Sequence, residues 1–188
     1  MAAPTALVAL DGLRRVVQVG SATKAVGAAM RCGYIAARED WIAQLVDLKL
    51  ATTMGNSATG AHILHRVLTE SGYRRHLDGL RRKLADSMGR AVENLRRHGL
   101  VPWIEPRAGI YVWARLPDGI SAADVARHGL TRKVMFAPGP AFSASDHARG
   151  CMRFNVARCS DPRIYEVLDE AIAATPRREP APASNAAF

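Results

Sequence analysis

Cysteine is scarce in this sequence and long apolar runs are missing, and each shortage removes a class of protein. The three cysteines, Cys32, Cys151 and Cys159, are odd in number and form no CxxC pair, so neither a disulfide framework nor a zinc-ligand pattern is indicated. No stretch reaches the roughly 18 apolar residues of a membrane-spanning helix. The apolar run 2–10 has no basic residues ahead of it and meets Asp11, Arg14 and Arg15, which is not the layout of a signal peptide. Acidic residues are also in short supply: 17 Asp and Glu stand against 26 Lys and Arg, a net charge of +9. That balance invites a nucleic-acid partner. The basic residues are dispersed, however, and few aromatics lie among them to stack bases. No direct nucleic-acid contact is therefore expected, and the charge suits solubility and small anionic ligands. A soluble protein of a reducing cytoplasm, with no membrane segment and no metal, is what these shortages leave. Its 188 residues, 48% of them hydrophobic, can build one domain or two small ones.

The most informative stretch is 20–34, GSATKAVGAAMRCGY, where small residues surround Lys24. Bulky neighbours are missing on both sides, which suits a lysine facing a ligand in a tight turn. A desolvated lysine readily becomes the neutral amine that forms a Schiff base with an aldehyde. Arg31, seven positions on, offers a planar, permanently charged fork suited to phosphate, and Ser21 adds a hydroxyl. Spacing alone would also fit two turns of a solvated helix face. The apolar run 15–20 before the lysine reads as a strand delivering it at its end, and 32–37 as a neighbouring strand returning from it.

Taken together, Ser21, Thr23, Lys24, Arg31, Gly33 and Tyr34 resemble the lysine segment of fold-type I pyridoxal-phosphate enzymes: S-x-[ST]-K, six residues, then R-x-G. Every position of that form is matched. The resemblance implies that Lys24 is the catalytic residue and carries pyridoxal 5'-phosphate (PLP) as a lysine aldimine. Ser21, Thr23 and Arg31 join it as cofactor-binding residues, with Ser21 and Arg31 on the phosphate.

Beyond this stretch, apolar spacing predicts helices over 39–53 and 61–68, separated by the small and polar residues 52–60. His62 and His65 stand three apart on the second of these, but no third ligand accompanies them. Leu77, Leu80, Leu84, Met88, Ala91 and Leu95 mark the longest helix at three-four spacing. Its opening segment 72–84, GYRRHLDGLRRKL, resembles the corresponding part of the aminotransferase domain in MocR/GntR-type regulators. Strands are expected over 101–104, 109–116, 134–137 and 152–156, with a short helix over 122–128 and a last one over 162–172. A proline- and alanine-rich tail over 175–188 is expected to be disordered.

Arg153 interrupts the strand-like run MRFNVA. Taken alone it reads as an edge-strand arginine pointing to water. In class I/II aminotransferases of fold type I, an arginine at the matching place binds the substrate α-carboxylate through paired hydrogen bonds, and the resemblance assigns Arg153 that substrate-binding role. The fold implied is α/β: the end of the large PLP-binding domain over 1–70, then a connecting helix and the small α+β C-terminal domain over 71–174. Only 23 residues precede Lys24, whereas the family's partner for the cofactor ring nitrogen and its stacking aromatic lie upstream of the lysine. The chain is thus expected to be a fragment, inactive alone, that transfers an amino group between an amino acid and a 2-oxo acid as a homo-oligomer or with a complementing N-terminal half. The alternative is the effector- and PLP-sensing part of a MocR-type transcriptional regulator.

Overall fold

A computed structural model describes residues 6–27, 29 and 31–177 of the chain. The greater part of the expected tail, 178–188, and the start of the apolar run 2–10 lie outside the described residues. The chain divides into two compact units, Met1–Leu80 and Arg81–Phe188, with the boundary inside one long helix.

The first unit opens with a short helix α1, Leu7–Asp11, that the sequence did not announce. The Asp11 carboxylate accepts from the backbone N–H groups of Arg15 at 2.6 Å and Val16 at 2.9 Å, turning the chain into the first strand. Strand β1, Gln18–Ser21, pairs antiparallel with β2, Gly33–Ala36, so that Ser21 lies opposite Gly33 and Gly20 opposite Tyr34. Both strands are shorter than the apolar runs suggested: β1 begins three residues later and reaches one residue further, to Ser21, and β2 loses one residue at each end. Helices α2, Glu39–Thr52, and α3, Ala58–Thr69, follow. The Ser57 hydroxyl caps α3 by accepting from the Gly60 N–H at 3.3 Å, which starts this helix three residues earlier than its apolar spacing does.

Helix α4, Gly72–Arg97, presents Met88, Ala91, Val92 and Leu95 as buried residues. That three-four stripe anchors the second unit. Its sheet has the order β3-β4-β6-β5, every pair antiparallel. The strands are β3, Val101–Pro102; β4, Tyr111–Arg115; β5, Ala137–Pro138; and β6, Cys151–Asn155. Residues 134–136 do not join the sheet as the sequence suggested: Val134 N–H bonds the Gly129 carbonyl instead. Helix α5, Ala122–Thr131, starts at Ser121, whose hydroxyl accepts from Asp124 N–H. Helix α6, Pro162–Ala174, is capped by Asp161 and has proline at its first position, where the missing N–H costs nothing.

Strand periodicity sorts the sheet into two faces. Val112, Ala114, Met152 and Phe154 point into a core shared with Leu95, Leu100, Val125 and Leu168. Thr175, assigned to the tail by composition, is instead buried, and its hydroxyl donates to the Ala171 carbonyl at 2.7 Å. Among the described residues, no helix is long and apolar enough to cross a membrane.

Candidate functional site

Two groups of candidate residues stand in separate units. The first occupies the loop that joins β1 to β2. Ala22 N–H bonds the Cys32 carbonyl at 3.0 Å, one step beyond the ladder, and Val26 N–H bonds the Ala22 carbonyl at 2.8 Å. Residues 22–26 therefore curl into a turn at the strand end, with Lys24 at its middle. The Ser21 hydroxyl accepts from Thr23 N–H at 3.2 Å, a side-chain turn that fixes the approach to the lysine. Across the loop, Arg31 holds the left-handed backbone, φ 44°, a conformation that costs a non-glycine residue on the order of 1 kcal/mol. Such strain concentrates where a side chain must be aimed.

Glycine is required at the base of this hairpin. A Cβ at Gly20 would lie 2.2 Å from the Tyr34 ring, so the ring covers the strand where a side chain would stand. One further tie reaches the loop from a distant part of the sequence: His76 on α4 donates from Nε2 to the Ala25 carbonyl at 2.9 Å, across 51 residues. No local pattern announces that bond. Lys24 itself is exposed, so the water-poor setting that its small neighbours suggested is not supplied by these residues alone. The loop carries two hydroxyls, an amine and a guanidinium, with no acidic side chain anywhere from Gly20 to Tyr34. This is a donor set for a phosphate ester bearing an aldehyde.

Arg153, the second candidate, sits mid-strand in β6 opposite Trp113 of β4 and Ala137 of β5. Register puts it on the face away from the core, which removes the conflict between its charge and the apolar run around it. Its guanidinium carbon lies 4.2 Å from the Tyr111 ring centroid and 3.7 Å from that of Phe142. Such arrangements contribute about 0.5–2 kcal/mol. Among the described residues no carboxylate comes within ion-pair distance of it. A cavity of about 260 Å³ opens alongside, lined by Tyr111, Phe136, Ala137, Arg153, Asn155 and Arg158 among others, none of them acidic. Phe142 escapes a reading of the sequence because a turn between β5 and β6, not a strand or helix period, brings it over the sheet. The His62 and His65 side chains are exposed on α3, and the described residues contain no cluster of three metal-ligand side chains.

With this geometry in view, comparison with solved structures defines the class. The fold is that of the fold-type I aminotransferases: the structure of LysN, α-aminoadipate aminotransferase of Thermus thermophilus, complexed with N-(5'-phosphopyridoxyl)-L-leucine, superposes with a TM-score of 0.77 at 24% identity, over 89% of this chain and 44% of that one. Within that class the chain belongs to the family Aminotransferase class I and II, whose profile it matches over residues 2–170. Two kinds of relative share the sequence. The HTH-type transcriptional regulator YisV of Bacillus subtilis (strain 168) is 28% identical over 93% of this chain. Aromatic-amino-acid aminotransferase 1 of Thermococcus litoralis is 28% identical over 84%. The chain spans 36% and 38% of these two relatives.

Proposed function

We propose that this chain is the lysine-bearing and carboxylate-binding portion of a PLP-dependent aminotransferase, acting on an amino acid and a 2-oxo acid. The observation that carries the proposal is the turn at the end of β1, which brings Ser21, Thr23 and Lys24 together in the loop that also carries Arg31, with no acidic residue from Gly20 to Tyr34. When bound, PLP supplies an electron sink conjugated to the substrate nitrogen. Every other role belongs to the chain. Ser21 and Arg31 would bind the phosphate by charge-assisted hydrogen bonds, with Thr23 beside them as a further cofactor-binding residue. Lys24 Nζ would hold the cofactor covalently, and the same amine, when free, would move the proton at the substrate α-carbon. Arg153 orients the substrate through its carboxylate.

Partners follow from the first unit, where Val19, Tyr34, Ile35, Leu48 and Leu50 are exposed. Apolar surface of that extent calls for cover, and a second copy of the chain, or a complementing N-terminal half of the relatives' length, would provide it. Three buried free cysteines agree with a reducing cytoplasm.

A second function is favoured by the regulator relatives: binding of PLP and an amino-acid effector at the same residues without turnover. One titration tests the shared premise. Adding PLP to the purified chain, with and without borohydride, is expected to give a shifted absorption band that borohydride traps and that Lys24→Ala abolishes. Identical spectra for wild type and Lys24→Ala would overturn it. Subsequent addition of amino acid and 2-oxo acid separates turnover from binding alone.

A further inference from the structure

We propose that Phe142, with Tyr111, is a positioning residue that holds the Arg153 guanidinium in one orientation toward a carboxylate ligand; this rests on the substrate role given to Arg153 above. Three features converge on it. The guanidinium lies over both rings, at 3.7 Å and 4.2 Å from their centroids, and ring faces attract a cation without using any of its N–H donors. Those donors stay available in the guanidinium plane, which is where a carboxylate binds by two parallel hydrogen bonds. The absence of an internal carboxylate partner among the described residues leaves the charge available to an outside anion.

The second feature is the rigidity of the segment that delivers Phe142. Residues Gly139–Ala141 form a single 3-10 turn, with Pro138 just before it and Pro140 inside it, and the Phe142 N–H closes it on the Gly139 carbonyl at 2.8 Å. Gly139 admits no side chain there, since a Cβ would fall 2.1 Å from the Ala148 carbonyl oxygen. The third is lateral support: Trp113, directly opposite Arg153 in the ladder, meets Phe142 edge-on with centroids 6.2 Å apart. An arginine free to rotate would sample many orientations, and a carboxylate would have to select one. The two rings remove that freedom in advance.

The arginine itself reports on this arrangement. In the full chain, the Nε–H resonance of Arg153, assigned by its loss in Arg153→Lys, is followed by NMR as benzoate is added, with benzamide as the uncharged control. The wild type is expected to show a ring-current-shifted resonance that moves with benzoate and not with benzamide. In Phe142→Leu the ring-current shift should vanish and the benzoate midpoint should rise roughly threefold to tenfold, while Phe142→Tyr restores both. Should Phe142→Leu fail to fold, as judged by circular dichroism, Tyr111→Leu carries the same comparison. An unchanged resonance and midpoint in the leucine variant would overturn the positioning role while leaving the carboxylate role intact. A wild-type resonance indifferent to benzoate would overturn the carboxylate role itself and the inference with it.

Discussion

Burial pushes the Tyr165 phenol up to about 12 from an ordinary value of 10.0. Its hydroxyl donates to the Cys159 carbonyl at 2.9 Å, and its ring stacks on His98, which in turn bonds Asp169 on the same helix as Tyr165. The folded chain thus holds the phenol proton more tightly than the unfolded chain does. That contribution to stability is whole below about pH 10 and is lost as pH rises toward 12. Tyr165→Phe keeps the ring and removes the proton. It is expected to cost about 1 kcal/mol at neutral pH and to flatten the alkaline fall in stability, as read by urea midpoints across that range. An equally steep fall in the variant would contradict the assignment. Arg31 is a residue-scale case of another kind. Its left-handed φ of 44° is a local cost that glycine would relieve, so Arg31→Gly should leave the fold at least as stable by thermal melting while weakening phosphate-ester binding about tenfold or more. Loss of stability with unchanged binding would reverse that account.

Helix α4 and the antiparallel sheet show which elements carry the fold. Leu95 is fully buried, while Leu48 on α2 remains 58% exposed. Leu95→Ala should therefore cost about 2–5 kcal/mol, and Leu48→Ala no more than about 0.5 kcal/mol in the isolated chain, both measured by chemical denaturation. Comparable losses would mean that α2 is packed in solution. These elements also mark how far sequence alone reaches. The α4 stripe is legible because Met88, Ala91 and Leu95 repeat at the helical period and meet a core. Its earlier members Leu77, Leu80 and Leu84 follow the same period yet are only half-buried, because period reports a face and not what covers it. The paired strands around Ser21 and Arg153 are legible from their short apolar runs, whereas the short β5 is misplaced because two residues carry no period. The companions of the candidate site are hidden for a different reason. His76 reaches Ala25 across 51 residues, and Phe142 arrives on a turn, so neither leaves a local signature.

At the scale of the whole chain the two units differ in kind. The second has a continuous core running through α4, α5, α6 and the sheet. In the first, among the described residues, Cys32 alone is buried. Protection from hydrogen exchange follows buried apolar contact. Amides of β4 and β6 should accordingly be protected well beyond those of β1 and β2 in the isolated chain, and a second copy or complementing half that covers the first unit should raise protection there. Equal protection in the isolated chain would mean that the first unit needs no cover. The central claim is that Lys24 is the covalent attachment point for PLP, and the chain makes it unusually testable because it has only four lysines, Lys24, Lys49, Lys83 and Lys133. Borohydride reduction after incubation with PLP, followed by peptide mass spectrometry, assigns the adduct. The account predicts modification concentrated on the peptide bearing Lys24 at cofactor concentrations that leave the other three unmodified, and adduct spread evenly over all four, or absent from Lys24, would contradict it.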